Sequence, residues 1–297
     1  MTQPNRLSKP NHHLSGIFYM TGASLAFALM ALCVKWTVRT LPVFEVVFFR
    51  SLSGTLLISI LILRKRVSFW GQDRGLLFLR GISGFTALAL HFFTISKLPL
   101  GLAVMLNFTA PFFAAVIAVI FLKERPGLFL WGMILMSFAG VILLTFPSSA
   151  NLHTGGHKTL FIVLGLLSGL AAAVAYTSIR AIKHHESPFT IIFNFTFVSM
   201  VGSLFFLVPG VRWPGPPEWV GLLGVAIGSF YGQLWMTIAF RKAPASLVSP
   251  FSYLTPVFSY FWGFLFWKET ITPSMIAGTA LIFLAGSFIS LKEATYE

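Results

Sequence analysis

Ten stretches of this chain are apolar for about 20 residues at a time, the length a helix needs to cross the hydrocarbon core of a bilayer. They cover approximately 14–34, 43–63, 75–96, 99–122, 127–146, 159–180, 188–208, 219–240, 244–267 and 273–291. Charges, Pro, Gly and His mark the breaks between them, as in "RKRVSFWGQDR", "PSSANLHTGGHK" and "KHHESP". In lipid the backbone must satisfy its own hydrogen bonds, so these stretches predict an all-α integral membrane protein of ten transmembrane helices. The composition agrees. Only 10% of residues are charged, against about a quarter in a soluble domain, and 33 Phe exceed what a water-soluble core of this size could hide. Little chain remains outside the membrane, which leaves no room for a soluble catalytic domain.

The tail 1–13 is polar and basic and runs into a long apolar stretch. A signal peptide has a shorter apolar core and a small-residue cleavage site, so the first span is expected to be retained. Cys33 is the sole cysteine, which excludes an internal disulfide and any cysteine-type metal cluster. The net charge of +13 invites a nucleic-acid reading, but its distribution argues against one. With the N-terminus in the cytoplasm, 13 of the 21 Lys and Arg fall on the cytoplasmic side and 6 on the far side. The other two, Arg50 and Arg80, lie inside spans. That is the positive-inside bias, and it predicts cytoplasmic N- and C-termini with the bilayer, not nucleic acid, as partner.

The chain also repeats itself. "APFFAAVIAVIFLKE" from Ala110 and "TPVFSYFWGFLFWKE" from Thr255 share Pro in second place and Lys-Glu at the end. The offset of 145 persists: Lys35 maps to Arg180, Phe44 to Phe189, Phe85 to Phe230, Lys97 to Lys242 and Pro99 to Pro244. After the Lys-Glu pair one residue is inserted, and Gly132 then meets Gly278. Residues 14–146 and 159–291 are therefore two copies of a five-span unit, joined by a 147–158 loop and followed by a short 292–297 tail. Five is odd, so the copies are inverted in the membrane. Two inverted halves can open to either side by exchanging conformations, as secondary transporters do. Duplication without functional trace is the plainer alternative.

Pro111 and Pro256 are expected near mid-span, each freeing a carbonyl four residues earlier, at Asn107 and Ser252. Freed carbonyls beside polar side chains, at matched places in both halves, suit a midplane binding cavity, with the prolines as gating breaks. A kink satisfied by a neighbouring helix is the competing account. Pro250 adds a break in the second copy alone. The Lys-Glu ends, Lys123-Glu124 and Lys268-Glu269, read as structural, with Glu meeting a cation or a helix N-terminus.

Substrate chemistry need not be symmetric, so positions where the copies differ are informative. Glu45 maps to Thr190, Phe49 to Asn194, Arg50 to Phe195, Arg80 to Val225, Leu88 to Gln233 and His91 to Met236. Arg50 lies about 10 Å into its span, and a charge at such depth costs on the order of 3 kcal/mol unless it faces a cavity or a partner. Arg80 enters from the opposite face, where it either joins the site or snorkels to the surface. Glu45 sits near its span's far-side end and could pair with Lys35 or Arg39, or serve proton or charge coupling. Two buried arginines short of acids call for an anionic group on a solute. Tyr231, Gln233 and Trp235 offer aromatic faces and an amide to an organic solute, although Trp and Tyr are also common interfacial anchors. His91 is either a proton carrier or a packing residue. Gly81 and Gly84 allow close helix approach. No metal spacing, phosphate loop or nucleophile elbow is present, so no cofactor and no enzyme activity are expected.

"KLPLGLAVMLNFTAPFFAAVIAVIFLKE" from Lys97 and "RKAPASLVSPFSYLTPVFSYFWGFLFWKE" from Arg241 resemble the EamA family of the drug/metabolite transporter superfamily. "FEVVFFRSL" and "LRGISGFTALALHFFTISKLPL" look like its branch with riboflavin and S-adenosylmethionine carriers. The resemblance spans nearly the whole chain. It implies a ten-helix inner-membrane carrier with a central cavity, working by alternating access on a small organic metabolite. A non-transporting scaffold or sensor on the same fold, or a channel, are the other classes to separate. The sequence sets neither the solute, the direction, the coupling ion nor the oligomeric state.

Overall fold

The computed structural model describes residues 10–121, 128–145, 158–182, 186–207, 211–242, 248 and 251–296. Among these, regular structure is helical throughout: α1 (Pro10–Thr37), α2 (Val43–Lys65), α3 (Arg74–Lys97), α4 (Leu100–Asn107), α5 (Ala110–Phe121), α6 (Leu128–Thr145), α7 (Lys158–Ala181), α8 (Pro188–Leu207), α9 (Pro216–Lys242), α10 (Leu254–Trp267) and α11 (Pro273–Tyr296). Six of them are long and apolar enough to cross a bilayer unaided: α1 from Leu14, α2, α3, α7, α8 and α9. The fourth expected span is split into α4 and α5. The ninth is split too: residues 251–252 are helical and α10 begins at Leu254. α1 starts earlier than the expected first span, and α11 continues through the segment expected to be a tail. Lys123, Glu124, Pro250 and the 147–157 part of the linker lie outside the described residues.

Proline sets many helix starts. Pro188, Pro216 and Pro273 open α8, α9 and α11, while Pro42 and Pro99 precede α2 and α4. At a helix start the missing N–H would have no intrahelical acceptor anyway. α2 and α10 stop at Arg66 and Lys268, both left-handed, with φ of 54° and 53°. Their amides turn back onto carbonyls of the last helical turn.

Packing follows the repeat. α1 lies on α9 as its counterpart α7 lies on α3, and α5 meets α7 as α10 meets α1. α2 packs on α8 and α6 on α11, each pair being equivalent elements of the two copies, and α4 packs on α10, the counterpart of α5. The contacts between equivalent elements fit a pseudo-two-fold relation of the two copies, as inverted halves require. The α1–α9 seam is built on glycine. Gly221, Gly224, Gly228 and Gly232 face Thr37, Cys33, Met30 and Phe27, so the backbones approach closely. Gly81 meets Val198 and Gly84 meets Phe195, bringing α3 onto α8. Polar side chains turn inward: Ser24, Thr94, Ser168, Ser199 and Ser259 are buried, whereas Phe18, Leu63, Phe205 and Ile276 are exposed. Lipid rewards that inversion of the soluble pattern.

Candidate functional site

The breaks in the fourth and ninth spans fall at equivalent residues. Phe108 (φ −71°, ψ 3°) separates α4 from α5, and Tyr253 (φ −68°, ψ −7°) precedes α10. Their rings touch, with centroids 5.5 Å apart. Pro111 is the second residue of α5 and Pro256 the third of α10. The helix breaks expected at the prolines lie just before them: each proline stands early in a fresh helix, in a first turn that lacks acceptors for its N–H groups.

Neighbouring spans supply the polar groups at these breaks. Ser24 Oγ on α1 donates to the carbonyls of Phe251 (2.9 Å) and Ser252 (3.4 Å). On the other side Asn107 Nδ2 donates to Ser168 Oγ of α7 at 2.7 Å, and that hydroxyl donates to the Ala87 carbonyl at 3.0 Å. Gly169, the equivalent of Ser24, leaves room for the Leu106 carbonyl and Thr109. Asn107 and Ser252 thus stand in helix seams held by α7 and α1.

Arg50 and Arg80 converge. Arg50 Cζ lies 5.3 Å from the ring centroid of Phe195, and Arg80 Cζ lies 4.4 Å from the same centroid. Phe195 on α8 is the residue that replaces Arg50 in the second copy, so the two equivalents meet across the pseudo-two-fold axis. Gly84 provides the space: a side chain there would strike both Arg80 and Phe195. Arg80 therefore lies against Phe195 with its Nε buried. Arg50 is buried, and its Nε donates to Ser229 Oγ at 3.3 Å. Ser229 is the equivalent of Gly84. Among the described residues, Arg50 Nη1 and Arg80 Nε have no hydrogen-bond partner. The guanidinium charges of Arg50 and Arg80 repel. An aromatic face attracts a cation by about 0.5–2 kcal/mol and leaves its hydrogen-bonding capacity unused. His91 is within electrostatic range of Arg50, and its buried Nδ1 also lacks a partner.

Other candidate residues lie elsewhere. Glu45 is buried, but it pairs with neither Lys35 nor Arg39. One oxygen accepts from the Arg212 backbone N–H at 3.4 Å, and Oε1 has no partner. Its equivalent, Thr190, donates to the Ser68 carbonyl at 2.6 Å, and Asn194 donates to that of Phe69 at 3.0 Å. These positions tie loops to α2 and α8, so a difference between copies also marks loop anchoring. Trp235 packs on Gly22 beside Met20 and Ala23 of α1, and Tyr231 meets it at 5.3 Å with the rings tilted by 48° and its own surface exposed. Gln233 shares a helix face with Ser229, one turn along α9. The α9 trio is thus divided, with Gln233 on the Arg50 side.

The end of the bundle opposite the chain termini is tied by Glu269. Its carboxylate pairs with Lys35 and accepts the Leu100 N–H at 2.7 Å, while Lys35 also donates to the Leu98 carbonyl at 2.9 Å. Both expected partners of such a Glu, a cation and a helix N-terminus, are present together. α1, α10 and the α3–α4 corner are fastened at one point. By the sequence offset the equivalents of Lys35 and Glu269 are Arg180 and Glu124. Glu124 and the side chain of Arg180 lie outside the described residues.

Ser229, Phe195 and Ser168 were not singled out as site residues from the sequence. The 145-residue offset carried a signal for the first two, since it pairs them with Gly84 and Arg50.

The model of the EamA-like transporter family matches residues 14–146 and again 159–291. The Pseudopaline exporter CntI of Pseudomonas aeruginosa is 33% identical over 276 residues, covering 91% of this chain and 94% of that protein. A riboflavin transporter of Rhizobium johnstonii is 24% identical over 307 residues, covering 100% and 98%. A crystal structure with 19% identity superposes at a TM-score of 0.64 over 97% of this chain and 99% of its own, a likeness of fold.

Proposed function

The chain belongs to the EamA-like transporter family, and we propose that it is a secondary transporter of a small organic metabolite bearing an anionic group. It works by alternating access across the cytoplasmic membrane, with both termini inside. One observation carries the reading of the solute: the paired guanidiniums of Arg50 and Arg80 on Phe195, with unused buried N–H groups. A buried cation without an acid is costly, and a planar anion accepting from the fork of an arginine removes that cost. His91 and Gln233 line the same region. Transport of an organic solute fits the pseudopaline exporter and the riboflavin transporter among the relatives.

The far-end fastening supports alternating access. A structure held at one end by Lys35 and Glu269 opens that end only after breaking them, and the repeat places the equivalent residue types, Arg180 and Glu124, in the other copy's sequence. The breaks at Phe108 and Tyr253 let the two halves of each span move separately.

Purified protein in proteoliposomes loaded with a panel of metabolite anions tests this. Saturable uptake with counterflow of at least one anion is the expected result. Linear, non-saturating flux would indicate a channel, and no flux across the panel a scaffold or sensor.

A further inference from the structure

We propose that the solute is a dianion, and that Arg50 and Arg80 each neutralise one of its charges. The proposal rests on the anion-site reading above and goes beyond it by fixing the charge. The two guanidiniums lie 5.3 and 4.4 Å from the centroid of one ring, and Arg80 acts on the charge of Arg50, which brings both charges within reach of one solute. Arg50 Nη1 and Arg80 Nε are buried donors without partners. The acids whose side chains are described lie elsewhere. Glu269 holds Lys35, Glu186 accepts from the backbone amides of Gln72 and Asp73, and Glu45 accepts from that of Arg212. Asp73 stands at the N-cap position of α3, at the end of its span, and Glu218 lies in the first turn of α9. A monoanion would leave one buried guanidinium unneutralised, still repelling whatever excess positive charge remained. A dianion balances the site, and the two separate cations favour it over a singly charged ligand of the same shape.

Matched probes test this: the dicarboxylates malonate, succinate and glutarate, their half-amides with one charge, and their diamides with none. The shift in thermal unfolding of the purified full-length protein is measured against probe concentration at fixed ionic strength, with sulfate as a compact dianion. At least one dicarboxylate, or sulfate, is expected to bind about tenfold or more tighter than the half-amides, the low end of a close interfacial charge pair. Binding of sulfate alone supports the dianion and puts both charges on one group. Arg50→Gln and Arg80→Gln should each abolish the preference, leaving dicarboxylate and half-amide equal, while Arg80→Lys keeps it. Equal binding of dicarboxylate and half-amide by the unaltered protein overturns the dianion but leaves the anion site standing. Diamides that bind as well as the anions, or no shift with any probe, overturn both. If the Gln variants fail to fold, the charge preference of the unaltered protein decides alone.

Discussion

Arg50 reaches Phe195 and Ser229 from a helix position whose nearest acid in sequence, Glu45, points elsewhere. Five residues separate them, about 140° around the helix. Arg50→Lys should therefore stay in the membrane yet lower solute affinity about 10- to 100-fold, because an ammonium lacks the planar fork. Isothermal binding to the purified variant checks this. The double change Glu45→Gln with Arg50→Gln should not rescue binding; recovery would make the two a structural pair and end the anchor role. Arg66 carries a different cost, a left-handed backbone at an exposed helix end. Glycine adopts that conformation freely, so Arg66→Gly should raise stability by about 0.5 kcal/mol, set against its greater freedom in the unfolded chain. A lowered unfolding midpoint would mean that the Arg66 side chain contributes more than its backbone costs.

Among the elements, α1 is the one that both copies' logic depends on: it seals the far end through Lys35 and serves the Phe251 and Ser252 carbonyls through Ser24. Lys35→Met should loosen the far end. In a Cys33→Ser background, a cysteine placed at Ser229 should then react faster with an impermeant maleimide added outside, and an unchanged rate would remove Lys35 from the gate. The spans themselves were legible in the sequence because lipid enforces length and apolarity one helix at a time. Their breaks were placed a few residues too late, since proline marks where the new helix starts and not where the old one stops. The arginines were legible for a similar reason, as a buried charge stands out in an apolar run. Their meeting on Phe195 was not, because it depends on how α2, α3 and α8 cross. Trp235 could be read from the sequence as a solute contact or as an interfacial anchor, and its packing into the gap left by Gly22 was not legible, because that depends on how α1 meets α9.

At the scale of the whole molecule, the charge count predicts that a cysteine in 147–158 is labelled from outside and one in 64–74 is not; the reverse pattern would invert the orientation. The pseudo-two-fold axis has a stricter consequence. If the halves trade conformations, every distance between two residues becomes the distance between their equivalents. A residue and its own equivalent are carried onto each other, so their separation is an invariant of the cycle. Phe108 with Tyr253 and Arg50 with Phe195 are such pairs. Lys35 with Glu269 is not, and its separation is handed to Arg180 with Glu124. A disulfide introduced as Phe108→Cys with Tyr253→Cys should therefore leave turnover running, while Lys35→Cys with Glu269→Cys should arrest it until reduced. The solute would then ride on the still point of the machine, with the arginine and its opposing ring keeping their spacing while both ends of the bundle open and close around them.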